Sequence, residues 1–73
     1  MKDQIINIMS EVFEMKISDF PEEIKQENIS NWDSLRHLNL IVELEEVFDT
    51  SFEPEEISEM TSLVQILNII EKN

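Results

Sequence analysis

From Met1 to Met15 the apolar residues Ile5, Ile8, Met9, Val12 and Met15 recur at intervals of three and four, the spacing of one helix face. Asp3, Gln4, Asn7 and Glu11 fill the remaining positions, so the pattern predicts a first helix with a solvated side. From Lys16 to Trp32 the period lapses. Pro21 interrupts it, and Ile17, Phe20, Ile24 and Ile29 stand as isolated anchors in a polar background, which predicts a long loop packed onto the core. A second helix, the longest run of the chain, begins after Asp33 and reaches Phe48 or Asp49. Pro54 to Glu59 fits a short third helix, because proline suits a first helical position and Glu55 and Glu56 favour the positive end of the helix dipole. Phe52 and Ile57 are its anchors. The last helix starts at Ser62, whose hydroxyl and the Gln65 side chain three residues on match a capping box, and its buried face is Leu63, Ile66, Leu67 and Ile70.

The expected fold is therefore all-α: a small bundle of three main helices plus one short helix, with a long loop between the first and second. Composition narrows this further. The chain has no glycine, which removes the easiest routes to tight hairpins and makes sheets unlikely on chemical grounds. Its 73 residues, 41% apolar, supply one small core, so residues 1–73 form a single domain that buries only about 60% of its unfolded surface. With no cysteine and no convincing metal-ligand set, stability has to come from packed helices or from a partner. There is no low-complexity segment and no internal repeat. Polar residues break the apolar run at the N-terminus, and no stretch approaches the roughly 18 apolar residues that span a bilayer. A cytoplasmic monomer, away from the membrane, is the expectation.

Seventeen acidic against five basic residues give a formal charge of -12. That field repels phosphate backbones and anionic lipid headgroups, which argues against nucleic acid as a partner. It either draws in proteins with basic patches or serves only to keep a small protein soluble. Glu22-Glu23 and Glu55-Glu56 read as solvated surface, and the carboxylates from Asp49 to Glu56 have no calcium-loop spacing.

The stretch Asn31 to Phe48 carries the chemistry. Asp33 is a good N-cap, able to accept from an amide of the first turn, and Ser34 then takes the first helical position with its side chain outward. Trp32 before the cap and His37 at the fourth helical position sit where a hydrophobic staple joins. His37 is the only histidine, with no cysteine to complete a site, so it reads as a packing or hydrogen-bonding residue rather than a catalytic or metal-binding one. Stepping about 100° per residue places Leu40, Ile41, Leu44, Val47 and Phe48 on the core side, with His37 at its N-terminal end. Leu35, Asn39, Val42 and Glu46 fall in a narrow stripe opposite, and two of these four are apolar. An exposed apolar pair flanked by Asn39, Glu43, Glu45 and Glu46, beside an exposed serine, outlines a docking surface with an acidic rim. The alternative is that the Lys16–Trp32 loop covers Leu35 and Val42. Nucleophilic catalysis would need a base and an orienting partner next to Ser34, and the lone histidine lies three residues on, over the core side, so the chain is not expected to be an enzyme. A serine at a helix N-terminus is instead a good place to carry a covalently attached phosphate, which free amides and the helix dipole favour.

Asp33-Ser34-Leu35 followed by Leu38, Leu40, Ile41, Leu44, Glu45, Glu46 and Phe48 resembles the attachment motif and second helix of acyl carrier proteins. Phe48-Asp49-Thr50, leading through Pro54-Glu55-Glu56 to Thr61-Ser62-Leu63-Val64, is similar to the segment joining the second and fourth helices of that family. The resemblance covers nearly the whole chain, is weakest before Asn31, and matches a free-standing carrier in length. It implies that Ser34 is the attachment site for 4'-phosphopantetheine, transferred from coenzyme A by a phosphopantetheinyl transferase. The terminal thiol would hold an acyl group as a thioester, supplied by an acyl- or aminoacyl-loading ligase and consumed by a downstream synthase or transferase. By the same analogy Asp33 assists modification, and Leu35, Val42, Glu45 and Glu46 engage partner enzymes; the helix-face argument reaches Leu35, Val42 and Glu46 without it.

Some positions depart from the pattern of housekeeping fatty-acid carriers. Arg36 and His37 follow the tripeptide where an acidic or small polar pair is usual, Asn39 replaces a common glutamate, and Trp32 stands where a small residue is usual. These features look more like carriers of specialised pathways, such as those making secondary metabolites or cell-surface polysaccharides. Two alternatives stay open: an aminoacyl or peptidyl carrier, and an unmodified acidic helical module that binds a partner's helix in the Leu35/Val42 groove.

Overall fold

The computed structural model describes every residue from Met1 to Asn73. Four α-helices form in chain order: α1 (Lys2–Phe13), α2 (Ser34–Val47), α3 (Pro54–Glu59) and α4 (Leu63–Lys72). There is no strand; one isolated antiparallel bridge joins Lys25 to Ser62. The all-α bundle with a long first connection is thus what the chain forms.

One core of fourteen buried apolar residues holds these helices together. On α1 the buried residues are Ile5, Met9 and Phe13, four apart, with Ile8, Val12 and Met15 packed at the margin. The face is thus rotated from the predicted one: Phe13, absent from that prediction, is fully buried, and Met15 lies at the margin. On α2, Leu40, Ile41 and Leu44 are buried and Phe48 packs beside them, but Val47, expected in the core, lies at the edge of that face and is about half exposed. Phe52 and Met60 bury the two ends of α3 with Ile57 between them. On α4 the buried set is Leu63, Ile66, Ile69 and Ile70, with Leu67 displaced to the margin.

The ends of α1 and α2 show how a chain without glycine stops a helix. Glu14 (φ 54°) and Asp49 (φ 50°) adopt the left-handed conformation in which glycine is preferred. Behind each, the next amide reaches back five residues: Met15 N–H donates to the Ser10 carbonyl at 3.0 Å and Thr50 N–H to the Glu45 carbonyl at 3.1 Å. Both helices therefore end in a Schellman-type cap, and the first ends two residues short of Met15. At the N-terminus of α3 the Glu56 carboxylate accepts from the Glu53 amide at 2.9 Å, the third-residue half of a capping box. At Ser62 only half of the expected box forms. Its hydroxyl accepts from the Gln65 amide at 3.2 Å, while the Gln65 side chain turns to the Thr61 and Ser62 hydroxyls instead of the backbone.

The Lys16–Trp32 connection contains two single 3₁₀ turns, Ile17–Asp19 and Gln26–Asn28. Ile29 is buried and Phe20 and Ile24 pack against the core, as expected of anchors; Ile17 is half exposed and anchors nothing. The loop is tied down through its backbone. Gln26 N–H donates to the Thr61 carbonyl at 2.8 Å, and Leu63 N–H to the Ile24 carbonyl at 2.9 Å, which fixes the loop to the start of α4. At its far end the Asn31 side-chain amide donates to the Phe13 carbonyl at 2.9 Å, satisfying an open carbonyl at the end of α1. No helix is long and apolar enough to cross a membrane.

Candidate functional site

Asp33, the residue before α2, has an extended backbone, and its carboxylate accepts from the Arg36 amide at 2.8 Å, the expected N-cap bond. Ser34 is the first residue of the helix; it is exposed and its hydroxyl is free of protein partners in the hydrogen-bond network. The positive end of the α2 dipole and the unengaged first-turn amides sit next to it. Arg36 comes back toward this corner, its guanidinium 3.7 Å from both the Asp33 and the Glu14 carboxylates. Those are exposed pairs of modest strength, but they offset part of the negative charge around the serine.

Just beneath the serine lies a hydrogen-bonded pair of rings. Trp32 Nε1–H donates to His37 Nδ1 at 2.9 Å, and His37 Nε2 lies 2.8 Å from the Ile57 carbonyl. An indole N–H can only donate and a carbonyl can only accept, so this pair of partners sets the histidine as the neutral tautomer with its proton on Nε2. Trp32 also packs its ring against Phe13, centroids 5.0 Å apart. The expected staple between Trp32 and His37 is present, made by a polar contact. His37 is fully engaged in joining the start of α2 to α3, with neither nitrogen turned toward the Ser34 hydroxyl.

Leu35 is 69% exposed and Val42 52% exposed, so the long loop does not cover them. Leu38, 56% exposed, belongs to the same surface; it is outside the predicted stripe, yet at 60° from Leu35 on the helical wheel it borders it. Asn39 and Glu46 are exposed along the same side of α2. Asn39, Val42 and Glu43 also face Ile8, Glu11 and Val12 of α1 across a shallow groove. Glu45 is placed differently. It is half-buried, and one of its carboxylate oxygens accepts from the Phe52 amide at 3.0 Å, which holds the α2–α3 connection against α2. Ser34, Leu35, Leu38, Asn39, Val42 and Glu46 thus lie along one exposed surface of α2, with Asp33 at its start and Glu45 on its margin.

Lys25 is the one group whose titration is clearly displaced. Its ammonium, held at 3.0 Å from Glu27 and 3.6 Å from Glu23, has a pKa raised above the ordinary 10.5, chiefly by the hydrogen bond to Glu27 and then by the Glu23 charge. It lies in the long loop, bridged to Ser62 at the start of α4, and has no part in this site.

No protein-family model matches this chain, and no curated protein matches its sequence.

Proposed function

We propose that this protein is an acyl carrier: Ser34 takes 4'-phosphopantetheine from coenzyme A, and the chain presents the attached acyl thioester to partner enzymes. The observation that carries the reading is the exposed, unengaged Ser34 hydroxyl at the first position of α2, beside the bare apolar stripe of Leu35, Leu38 and Val42. The Asp33-Ser34-Leu35 resemblance agrees with it.

The residues fit the group. A phosphodiester on Ser34 Oγ would be favoured by the open amides of the first turn and the positive helix end, with Arg36 near enough to moderate the charge of Asp33. In the transfer, Ser34 Oγ bonds to the phosphorus that bears the pantetheine, and the pyrophosphate P–O bond on its other side breaks. Adenosine 3',5'-bisphosphate leaves, and the hydroxyl proton passes to a base of the transferase. The Ser34 hydroxyl has no hydrogen-bonded base within this chain, so a phosphopantetheinyl transferase supplies the base, with Asp33 at the shared interface. When attached, the group supplies a terminal thiol for thioester formation. The protein itself performs no reaction. Tethering raises the effective concentration of the cargo at each active site visited, while Leu35, Leu38 and Val42 give partners an apolar contact and Asn39 and Glu46 a polar rim. A loading ligase and a downstream synthase or transferase complete the set of partners, acting in solution in the cytoplasm.

Intact mass before and after incubation with coenzyme A, magnesium and a broad-specificity phosphopantetheinyl transferase tests the reading. We expect a gain of one phosphopantetheine group in the wild type and none in Ser34→Ala. A wild-type chain that stays unmodified beside a control carrier that is modified overturns it, and leaves the α2 stripe as an unmodified docking surface for a partner helix.

A further inference from the structure

We infer that the cargo stays in solvent outside the helices, which selects a short or polar acyl group; this rests on the carrier reading. Beside Ser34 the chain approaches the apolar core on two sides, toward α3 and toward the end of α1, and bonded side chains occupy both. Between the first turn of α2 and α3 stands His37, held at both ring nitrogens by Trp32 (2.9 Å) and the Ile57 carbonyl (2.8 Å). Between that turn and the end of α1 stands Trp32, only 3% exposed, its ring on Phe13 and its flank covered by the Asn31 bond to the Phe13 carbonyl.

Displacing His37 would unpair the indole N–H and the Ile57 carbonyl together, and an alkyl chain in its place offers neither a donor nor an acceptor. Behind this tie Met9, Phe13, Leu40 and Leu44 are fully buried in one continuous core, so an entering chain has to push apart side chains already in contact. The concave surfaces of the molecule lie elsewhere, and neither Ser34, Trp32 nor His37 lines any of them. The most apolar is a groove where Ile6 and Ile24 face Leu63, Val64 and Leu67.

A long aliphatic group denied the core leaves its methylenes in water, whereas hydroxyl or amino substituents keep a short one solvated.

The test loads Ser34 with acetyl- and with decanoyl-phosphopantetheine from the matching coenzyme A thioesters, using the broad-specificity transferase. Intact mass first establishes loading; if no mass is gained, the carrier reading falls and this inference with it. With loading established, the indole N–H resonance of Trp32, the only tryptophan of the chain, reports the Trp32–His37 bond, and the Val64 amide reports the groove on α4. We expect both resonances to coincide in the acetyl and decanoyl forms, with equal Tm. A decanoyl form in which the Trp32 indole or the Val64 amide moves, or whose Tm rises by several degrees, overturns the inference while leaving the carrier reading intact.

Discussion

Trp32 Nε1–H donates to His37 Nδ1 across 2.9 Å, and through His37 the start of α2 is bonded to the Ile57 carbonyl of α3. A side chain that only packed would leave the indole and carbonyl unmatched in a largely dry place. Trp32→Phe keeps an aromatic ring against Phe13 but removes the donor, and we expect a loss of about 1–3 kcal/mol. His37→Ala removes both bonds and is expected to cost more than Trp32→Phe. Urea denaturation of the two variants checks the order; equal stability of His37→Ala and wild type would show that the tie contributes nothing.

Asp33 has a structural task and a proposed functional one, and asparagine separates them. As N-cap, Asp33 accepts from the Arg36 amide, and Asp33→Ala is expected to cost about 1 kcal/mol. Asp33→Asn keeps an accepting oxygen and so should hold nearly wild-type stability. If the carboxylate assists modification, Asp33→Asn is nonetheless modified more slowly by the transferase, as a time course of intact mass will show. Equal rates would confine Asp33 to capping.

Exposure divides α2 into residues that hold the fold and residues that face partners. Leu44 is fully buried, and Leu44→Ala is expected to lose about 2–5 kcal/mol. Leu35→Ala and Val42→Ala should stay within about 0.5 kcal/mol of wild type, since each removes atoms already in water. The same two substitutions are expected to raise the KM of the transferase for this protein without unfolding it. Thermal melts alongside transferase kinetics test both halves, and an unchanged KM would remove the stripe from the partner surface.

Glycine at the two left-handed positions should stabilise the protein. Glu14→Gly relieves a Cβ clash that glutamate tolerates poorly, with an expected gain of about 1 kcal/mol. Asp49→Gly should gain less, because aspartate visits this conformation more readily. Chemical denaturation gives both values, and a destabilised Glu14→Gly would show that the Glu14–Arg36 pair outweighs the backbone strain.

The pKa of Lys25 is raised in the folded chain, so its pairing with Glu27 and Glu23 stabilises the fold fully below the ordinary lysine value of 10.5 and fades as pH climbs past it. The difference in Tm between wild type and Lys25→Met is therefore expected to stay constant from neutrality toward 10.5 and to shrink only above. A difference that already fell near neutrality would assign the titration to another group.

The helices, the cap at Asp33 and the stripe of Leu35 and Val42 were legible in the chain because each depends on neighbours within a turn or two: period, capping chemistry and proline position are local. The first helix was placed to Met15 because an apolar residue continues the period there, while the left-handed Glu14 that ends it at Phe13 has no signature in a chain without glycine. The exposure of Val47, expected in the core, and of Leu38, assigned to neither side, has a related cause. They lie at the borders of the core-facing and solvent-facing sides, and where a border falls depends on which helices pack there, not on the period.

What the tertiary structure alone decided is the surrounding of Ser34. His37 and Ile57 are twenty residues apart, Asn31 and Phe13 eighteen, and no spacing rule relates them. Glu45, which local periodicity leaves near the docking surface, is drawn onto the Phe52 amide by the path of the α2–α3 connection. By itself the amino-acid sequence determined an all-α chain with an outward serine at a helix start, since those features follow from backbone geometry within single elements. What stands between that serine and the core depends on side chains that only the packing of α1, α2 and α3 brings together: Trp32 on Phe13, and His37 on the Ile57 carbonyl.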